Sequence, residues 1–114
     1  MNNLKNDSYY VGKALEQIYH IHEHLNSIDT LDMFLKDKMR VDAVMFRLVQ
    51  LVEHIKDLSQ QYKDCYPNIP WGDIIGFRNG IVHEYGATDY IMVWSILMYD
   101  LPELQNLFES TLNS

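Results

Sequence analysis

The longest apolar pattern in the chain runs through residues 41–62, VDAVMFRLVQLVEHIKDLSQQY. Apolar side chains recur there at steps of three and four residues, which places them on one face of an α-helix. The members of this face are Val41, Val44, Met45, Leu48, Leu51, Val52, Ile55, Leu58 and Tyr62. A helix of about 20 residues is typical of helical bundles. The pattern therefore predicts a bundle, with this helix continuing to Tyr62.

The same period occurs upstream of this helix. No proline occurs in the first sixty residues, and a second apolar stripe contains Val11, Ala14, Leu15, Ile18, Ile21, Leu25 and Ile28. We expect this first helix to break at residues 27–30 and a short helical turn to follow at residues 31–35.

Proline and glycine positions divide the rest of the chain. Pro67 and Pro70 cannot continue a helix interior, but Pro70 is well placed at the first turn of a third helix, expected from about residue 71 to Glu84. Its inward side chains are expected to be Ile74, Ile75, Phe77, Ile81 and Val82. Gly86 is expected to end this helix because glycine readily adopts the left-handed conformation.

A fourth helix is expected to begin with Thr88 or Asp89 as its cap. Further on, Asp100 is followed three positions later by Glu103, the pattern of a capping box, which predicts a kink or restart. No strand-like alternation competes with these helices. The sequence thus predicts an all-α, four- to five-helix up-down bundle in a single domain, residues 1–114.

Composition excludes several classes of protein. The 114 residues include 9 basic and 16 acidic side chains, giving a net charge of −7. No apolar run approaches the roughly 18 residues that a membrane span needs, and the N-terminal sequence lacks the pattern of a signal peptide. Cys65 is the only cysteine, so no internal disulfide is expected. We therefore expect a cytoplasmic protein without membrane contact. Its acidic charge argues against a protein that coats nucleic acid, so any contact with RNA or nucleotides would have to occur at a small, locally basic site.

One segment concentrates polar chemistry at the end of an otherwise apolar helix: Gly76-Phe77-Arg78-Asn79-Gly80-Ile81-Val82-His83-Glu84-Tyr85. Asn79 and His83 lie about 40° apart around a helix, but Arg78 and His83 lie about 140° apart. A site that uses both Arg78 and His83 needs a loosened helix end or a second copy of the segment across a dimer. On spacing alone, the alternative remains that this segment is an ordinary helix end, with His83 near the last carbonyls and Arg78 paired to a surface carboxylate.

These side chains are suited to cleaving RNA without a metal. A histidine can move a proton to or from a ribose hydroxyl or a leaving oxygen, and an arginine offers a planar fork to a phosphate. Asn79 can orient either group. The attacking group would be the neighbouring 2′-hydroxyl, so DNA is expected to be a poor substrate.

The segment resembles the HepT-like branch of the HEPN domains. The likeness is carried by Ile-Pro-Trp at residues 69–71, the Arg-x4-His-x-Tyr unit at residues 78–85, Val-Trp at residues 93–94 and Asp-Leu-Pro-Glu-Leu at residues 100–104. It extends upstream through Asp-Ala-Val at residues 42–44 and through Glu53, and so covers most of the chain.

The resemblance implies a metal-independent endoribonuclease toxin of a toxin–antitoxin module. It implies a homodimer that brings two motifs into one cleft, with Arg78, His83 and Asn79 as catalytic residues and no cofactor or metal. Glu53 and Glu84 are expected to support the cleft. The implied partner is a minimal nucleotidyltransferase, similar to MntA, which transfers AMP to Tyr85 and so places negative charge beside Arg78.

Other functions stay open on the sequence. A non-catalytic helical adaptor of a nucleotidyltransferase would suit the charge of −7, and a plain structural bundle would need no site. His20 and His24 have a spacing that can chelate zinc on a helix, but a solvated helix face is the interpretation we adopt. Trp71 and Trp94 are expected to pack in the core, where Leu48→Ala or Trp94→Ala should cost about 2–5 kcal/mol.

Overall fold

The structure is a computed structural model that describes residues 3–83 and 88–113, with side-chain surroundings for residues 6–78 and 88–113. Every regular element in these ranges is helical, which confirms the predicted all-α fold. The α-helices in chain order are α1 (Asn3–His24), α2 (Leu31–Lys36), α3 (Lys38–Lys56), α4 (Gln60–Asp64), α5 (Trp71–His83), α6 (Tyr90–Ser95) and α7 (Leu101–Leu112). A π-helical stretch, Ile96–Asp100, joins α6 to α7 without a break.

The core lies where α1 packs along both α3 and α7, while α5 packs against α3. The apolar face predicted for α3 and its continuation is buried throughout, and so are Val11, Ala14, Leu15, Ile18 and Ile21 of α1. Leu25 and Ile28, at the end of that stripe, are partly buried against the same cluster. Burial of these faces is the main source of stability for the bundle.

The predicted break after α1 and the short helix that follows are both present. Ser27 has a φ of 69°, in the left-handed region that α-helices cannot continue through. Thr30 then caps α2, its hydroxyl accepting the backbone N–H of Met33 at 3.2 Å. Asp37 caps α3 in the same way through the N–H of Arg40 at 3.2 Å. Each cap satisfies a backbone donor that has no partner inside its helix.

The prediction that the second long helix continues to Tyr62 is wrong, because α3 ends at Lys56 and α4 begins after Ser59. The Ser59 hydroxyl accepts the Tyr62 N–H at 3.0 Å. Asp7 of α1, only 2% exposed, accepts the Ser59 backbone N–H at 2.8 Å and the Ser59 hydroxyl at 2.7 Å. Leu58 and Tyr62 are still buried. The helical spacing of apolar residues therefore continues across the break between α3 and α4 and gives no sign of it.

Removing this buried carboxylate should destabilise the fold. We expect Asp7→Ala to lower the free energy of unfolding by about 1–3 kcal/mol, because the Ser59 N–H loses its acceptor inside the protein. The control is Asp29→Ala, which removes the same charge from an exposed loop position. Urea unfolding of both variants measures the difference, and equal stability of the two would contradict the importance of the Asp7–Ser59 contact.

The helix changes where a kink or restart is predicted, because the π-helical stretch gives way to α7 at Leu101, but the capping box expected at residues 100–103 is absent. Asp100 makes no capping hydrogen bond through its side chain, and the backbone N–H of Leu101 donates to the Ile96 carbonyl. The reason is that Pro102 lacks an N–H and its ring crowds the preceding turn. A wider π turn accommodates the proline without ending the helix. Asp89, by contrast, caps α6 as expected, accepting the N–H groups of Ile91 at 3.0 Å and Met92 at 3.2 Å.

No helix in the described part of the chain combines the length and the apolar character needed to cross a bilayer.

Candidate active site

The helix that carries the motif is fixed at its first residue. The Trp71 indole N–H donates to the Lys63 carbonyl at 3.1 Å and to the Tyr66 carbonyl at 3.0 Å. Ile74 and Phe77 then turn into the core. Trp71 itself is half-buried and packs on the cluster, as does Trp94, whose ring centroid lies 5.7 Å from that of Phe34. The start of α5 is therefore fixed by hydrogen bonds to α4 and to the turn after it.

Arg78 lies beside Glu53 at the edge of the groove between α3 and α5. The Arg78 Nε and the Glu53 Oε1 are 2.7 Å apart, and the two side chains are 28% and 37% exposed. Both atoms are shielded from solvent. The N–H···O angle from the Arg78 Nε to the Glu53 Oε1 is not that of a good hydrogen bond. The contact is an ion pair at the rim of the fold. It engages the guanidinium through Nε, so a phosphate bound by the two terminal nitrogens would approach from another side.

The second oxygen of Glu53 faces another cation. Lys56 lies one turn further along α3, and its Nζ is 3.8 Å from the Glu53 Oε2. Two cations thus share one carboxylate at the C-terminal end of α3. Lys56 was not among the site residues predicted from the sequence, although its spacing of three residues from Glu53 was a usable signal.

The other predicted site residues lie at or beyond the end of α5. Asn79 and His83 belong to the helix, and His83 is its last residue; their side chains lie outside the described residues. Glu84 and Tyr85, with the predicted helix end at Gly86, fall in residues 84–87, also outside them. The structure therefore brings Arg78 and Glu53 together, while the placement of the His83, Asn79, Glu84 and Tyr85 side chains stays a prediction.

The backbone of α5 bears on how Arg78 and His83 can meet. The α-helix is continuous from Trp71 to His83. Positions 78 and 83 are therefore separated by about 140° around its axis. Of the two arrangements considered from the sequence, a helix loosened before His83 is not observed.

Two of the three histidines of α1, His20 and His22, have polar partners. The His20 Nδ1 lies 2.9 Å from the Glu23 Oε1, and the His22 Nε2 lies 2.7 Å from the Gln105 Oε1 of α7. Among the described residues, no group of three or more His, Cys, Asp or Glu side chains is placed to hold a metal ion.

The family model described as Ribonuclease HepT-like matches residues 14–111. This match spans α3 and α5 and so includes Glu53, Arg78 and His83. The chain belongs to the HepT-like family. The resemblance inferred from the sequence is thereby confirmed at the level of the family.

Curated relatives of this HepT-like chain carry ribonuclease names. It is 31% identical over 100 residues to "Probable ribonuclease HepT" of Thermococcus cleftensis, covering 88% of this chain and 90% of the relative. It is 30% identical over 100 residues to "Putative RNase MJ1380" of Methanocaldococcus jannaschii, covering 88% and 91%. A third relative, "Putative RNase TTE0752" of Caldanaerobacter subterraneus, is 26% identical over 102 residues, covering 90% of each chain. No solved structure matches the chain.

Proposed function

We propose that this HepT-like protein is a metal-independent endoribonuclease toxin that cuts RNA at a site shared by two subunits of a homodimer. The family and the names of the relatives support the ribonuclease class. The observation that carries the proposal is the Arg78 guanidinium, held 2.7 Å from Glu53 at the groove edge and five residues before the last residue of α5.

In the proposed reaction, the 2′-hydroxyl of a ribose attacks the adjacent phosphorus. His83 acts as general base or acid, taking the hydroxyl proton or giving a proton to the leaving 5′-oxygen. Arg78 stabilises the negative charge that builds on the phosphate oxygens through its terminal nitrogens, because Nε faces Glu53. Asn79 orients the histidine or the phosphate. Glu53 positions the guanidinium, and Glu84 supports the cleft. No step needs a metal.

Helix geometry supports the proposed homodimer. Since α5 is a regular helix up to His83, Arg78 and His83 of one subunit face about 140° apart. A two-fold axis near the end of α5 would set Arg78 of one subunit opposite His83 of the other, and the symmetry would produce two equivalent pairs. The cleft would then be assembled only in the dimer.

Regulation is proposed to occur at Tyr85. A minimal nucleotidyltransferase antitoxin, similar to MntA, would transfer AMP to the phenol oxygen and release pyrophosphate from ATP. Each AMP adds a phosphodiester charge and a bulky nucleoside seven residues after Arg78. That charge repels an RNA phosphate from the arginine or occupies the arginine itself, and either effect stops cleavage.

The test is cleavage of a single-stranded RNA by the purified full chain in EDTA. We expect the wild type to cut the RNA, and His83→Ala to leave it intact. The matching DNA should also remain intact because it has no 2′-hydroxyl. If the RNA decays at the same background rate with the wild type and with the variant, ribonuclease activity is excluded, and an adaptor of a nucleotidyltransferase is then the better hypothesis. The charge of −7 and the paired state of Arg78 favour that second function.

The same assay tests the regulation. Treatment with a HepT-partner nucleotidyltransferase and ATP should stop cleavage by the wild type and add the mass of AMP to the peptide that contains Tyr85. Tyr85→Phe should keep cutting after the same treatment. Inhibition of both proteins without the added mass would contradict modification at Tyr85.

A further inference from the structure

The Glu53 carboxylate lies between two cations that face different oxygens. The Arg78 Nε is 2.7 Å from Oε1, and the Lys56 Nζ is 3.8 Å from Oε2. Two positive charges share one negative charge, so this small cluster carries a net charge of +1 on a chain whose net charge is −7. A local excess of positive charge is what a polyanion needs on an acidic protein.

The fold fixes where Lys56 lies relative to the proposed cleavage site. Trp71, the first residue of α5, bonds to carbonyls of α4 and of the turn after it, just beyond the end of α3, whereas Arg78 meets Glu53 inside α3. Helix α5 therefore runs antiparallel to α3. Lys56 therefore stands on the side of Arg78 that faces the start of α5.

The end of α3 that presents Lys56 is held in place. The Lys63 ammonium of α4 donates to the Lys56 carbonyl at 3.4 Å, and the Asp57 N–H donates to the His54 carbonyl at 3.2 Å. The Lys56 side chain is 43% exposed, so its ammonium can still be reached from solvent. A rim ion pair of 3.8 Å contributes little free energy, which means that a phosphate can draw the ammonium away from Glu53 at small cost.

We infer that Lys56 binds the phosphate of single-stranded RNA next to the one held by Arg78, on the side that faces the start of α5. This inference rests on the proposed function and deepens it. The Arg78 Nε and the Lys56 Nζ are separated by the width of one carboxylate and two contact distances. This separation is comparable with the distance between successive phosphates along a strand. Glu53 keeps the two cations from repelling each other, and Lys56 contributes to affinity and to the register of the strand without taking part in the bond-breaking step.

The experiment measures binding and cleavage separately in the full chain. A fluorescein-labelled single-stranded RNA with 2′-O-methyl riboses reports binding by anisotropy, because it has no free 2′-hydroxyl and cannot be cut. Kd is measured at salt concentrations from about 50 to about 200 mM for wild type, Lys56→Gln, Lys56→Arg and Lys36→Gln. Lys36 is the matched control, because it is an exposed lysine at the end of α2, which is not one of the two helices that form the groove.

We expect the slope of log Kd against log salt to fall by about 0.7 in Lys56→Gln, the value for one lost phosphate contact on a single strand. The ratio of the Lys56→Gln Kd to the wild-type Kd should therefore fall by about two- to threefold between the lowest and the highest salt concentration. Lys56→Arg and Lys36→Gln should keep the wild-type slope. In the cleavage assay, Lys56→Gln should raise KM and leave kcat unchanged.

In the binding measurements, any of three results would overturn the inference: no binding by the wild type, an unchanged slope in Lys56→Gln, or the same loss of slope in Lys36→Gln. A loss of kcat with an unchanged KM would assign Lys56 a structural role and would also overturn it. Binding with the expected change of slope, but without any cleavage by the wild type, would support the phosphate contact while removing the ribonuclease proposal.

Discussion

Arg78→Ala should slow RNA cleavage by about 100- to 1000-fold, the usual cost of losing one preorganised group that stabilises charge in a transition state. The variant should fold, since the Arg78 and Glu53 side chains meet at the rim of the fold, where water can replace the lost cation. Single-turnover cleavage rates measure the loss, and circular dichroism checks the fold.

The matched control is Arg47→Ala, which removes the same side chain from α3. Arg47 Nη1 donates to the Gln17 Oε1 at 3.3 Å, and so it is occupied by α1. Its loss should change the cleavage rate by no more than a few-fold. Arg78→Lys should restore only part of the activity, because an ammonium keeps the charge but lacks the planar fork. Equal rates in the two alanine variants would exclude a catalytic role for Arg78.

Leu48→Ala should lower the free energy of unfolding by about 2–5 kcal/mol. Leu48 is 1% exposed and lies in the middle of α3, the helix that contacts both α1 and α5. The cost combines the lost burial of the side chain with the cavity that remains among neighbours held by three helices. Urea unfolding measures it.

Leu35→Ala provides the comparison, because Leu35 lies on α2 and is 44% exposed. The same substitution there should change stability by less than about 0.5 kcal/mol. A similar loss in both variants would mean that α3 is not the centre of the core.

The buried faces of α1 and α3 could be predicted because they depend on helical periodicity alone. The two incorrect predictions, a helix that continues to Tyr62 and a capping box at residues 100–103, have a different origin. The break between α3 and α4 requires Asp7, 52 residues before Ser59, to reach the serine. The π turn before Pro102 depends on the Ile96 carbonyl accepting the Leu101 N–H instead of a side chain acting as a cap. Neither choice is visible in the local order of apolar and polar residues.

The candidate site was predictable in part. Arg78 stood out because a charged residue near the end of an apolar helix needs a reason, and the resemblance added Glu53. That the two side chains meet could not be read from the sequence, because the meeting depends on α5 returning along α3. Lys56 was overlooked since its significance comes from Glu53 facing two cations at once.

The carboxylate of Asp7 has an effect on the groove without touching it. Had α3 continued straight to Tyr62, it would have been longer by about one and two-thirds turns. Anyone transplanting the groove between α3 and α5 into another scaffold should keep the Asp7–Ser59 pair, because this distant contact fixes where α3 ends and α4 begins.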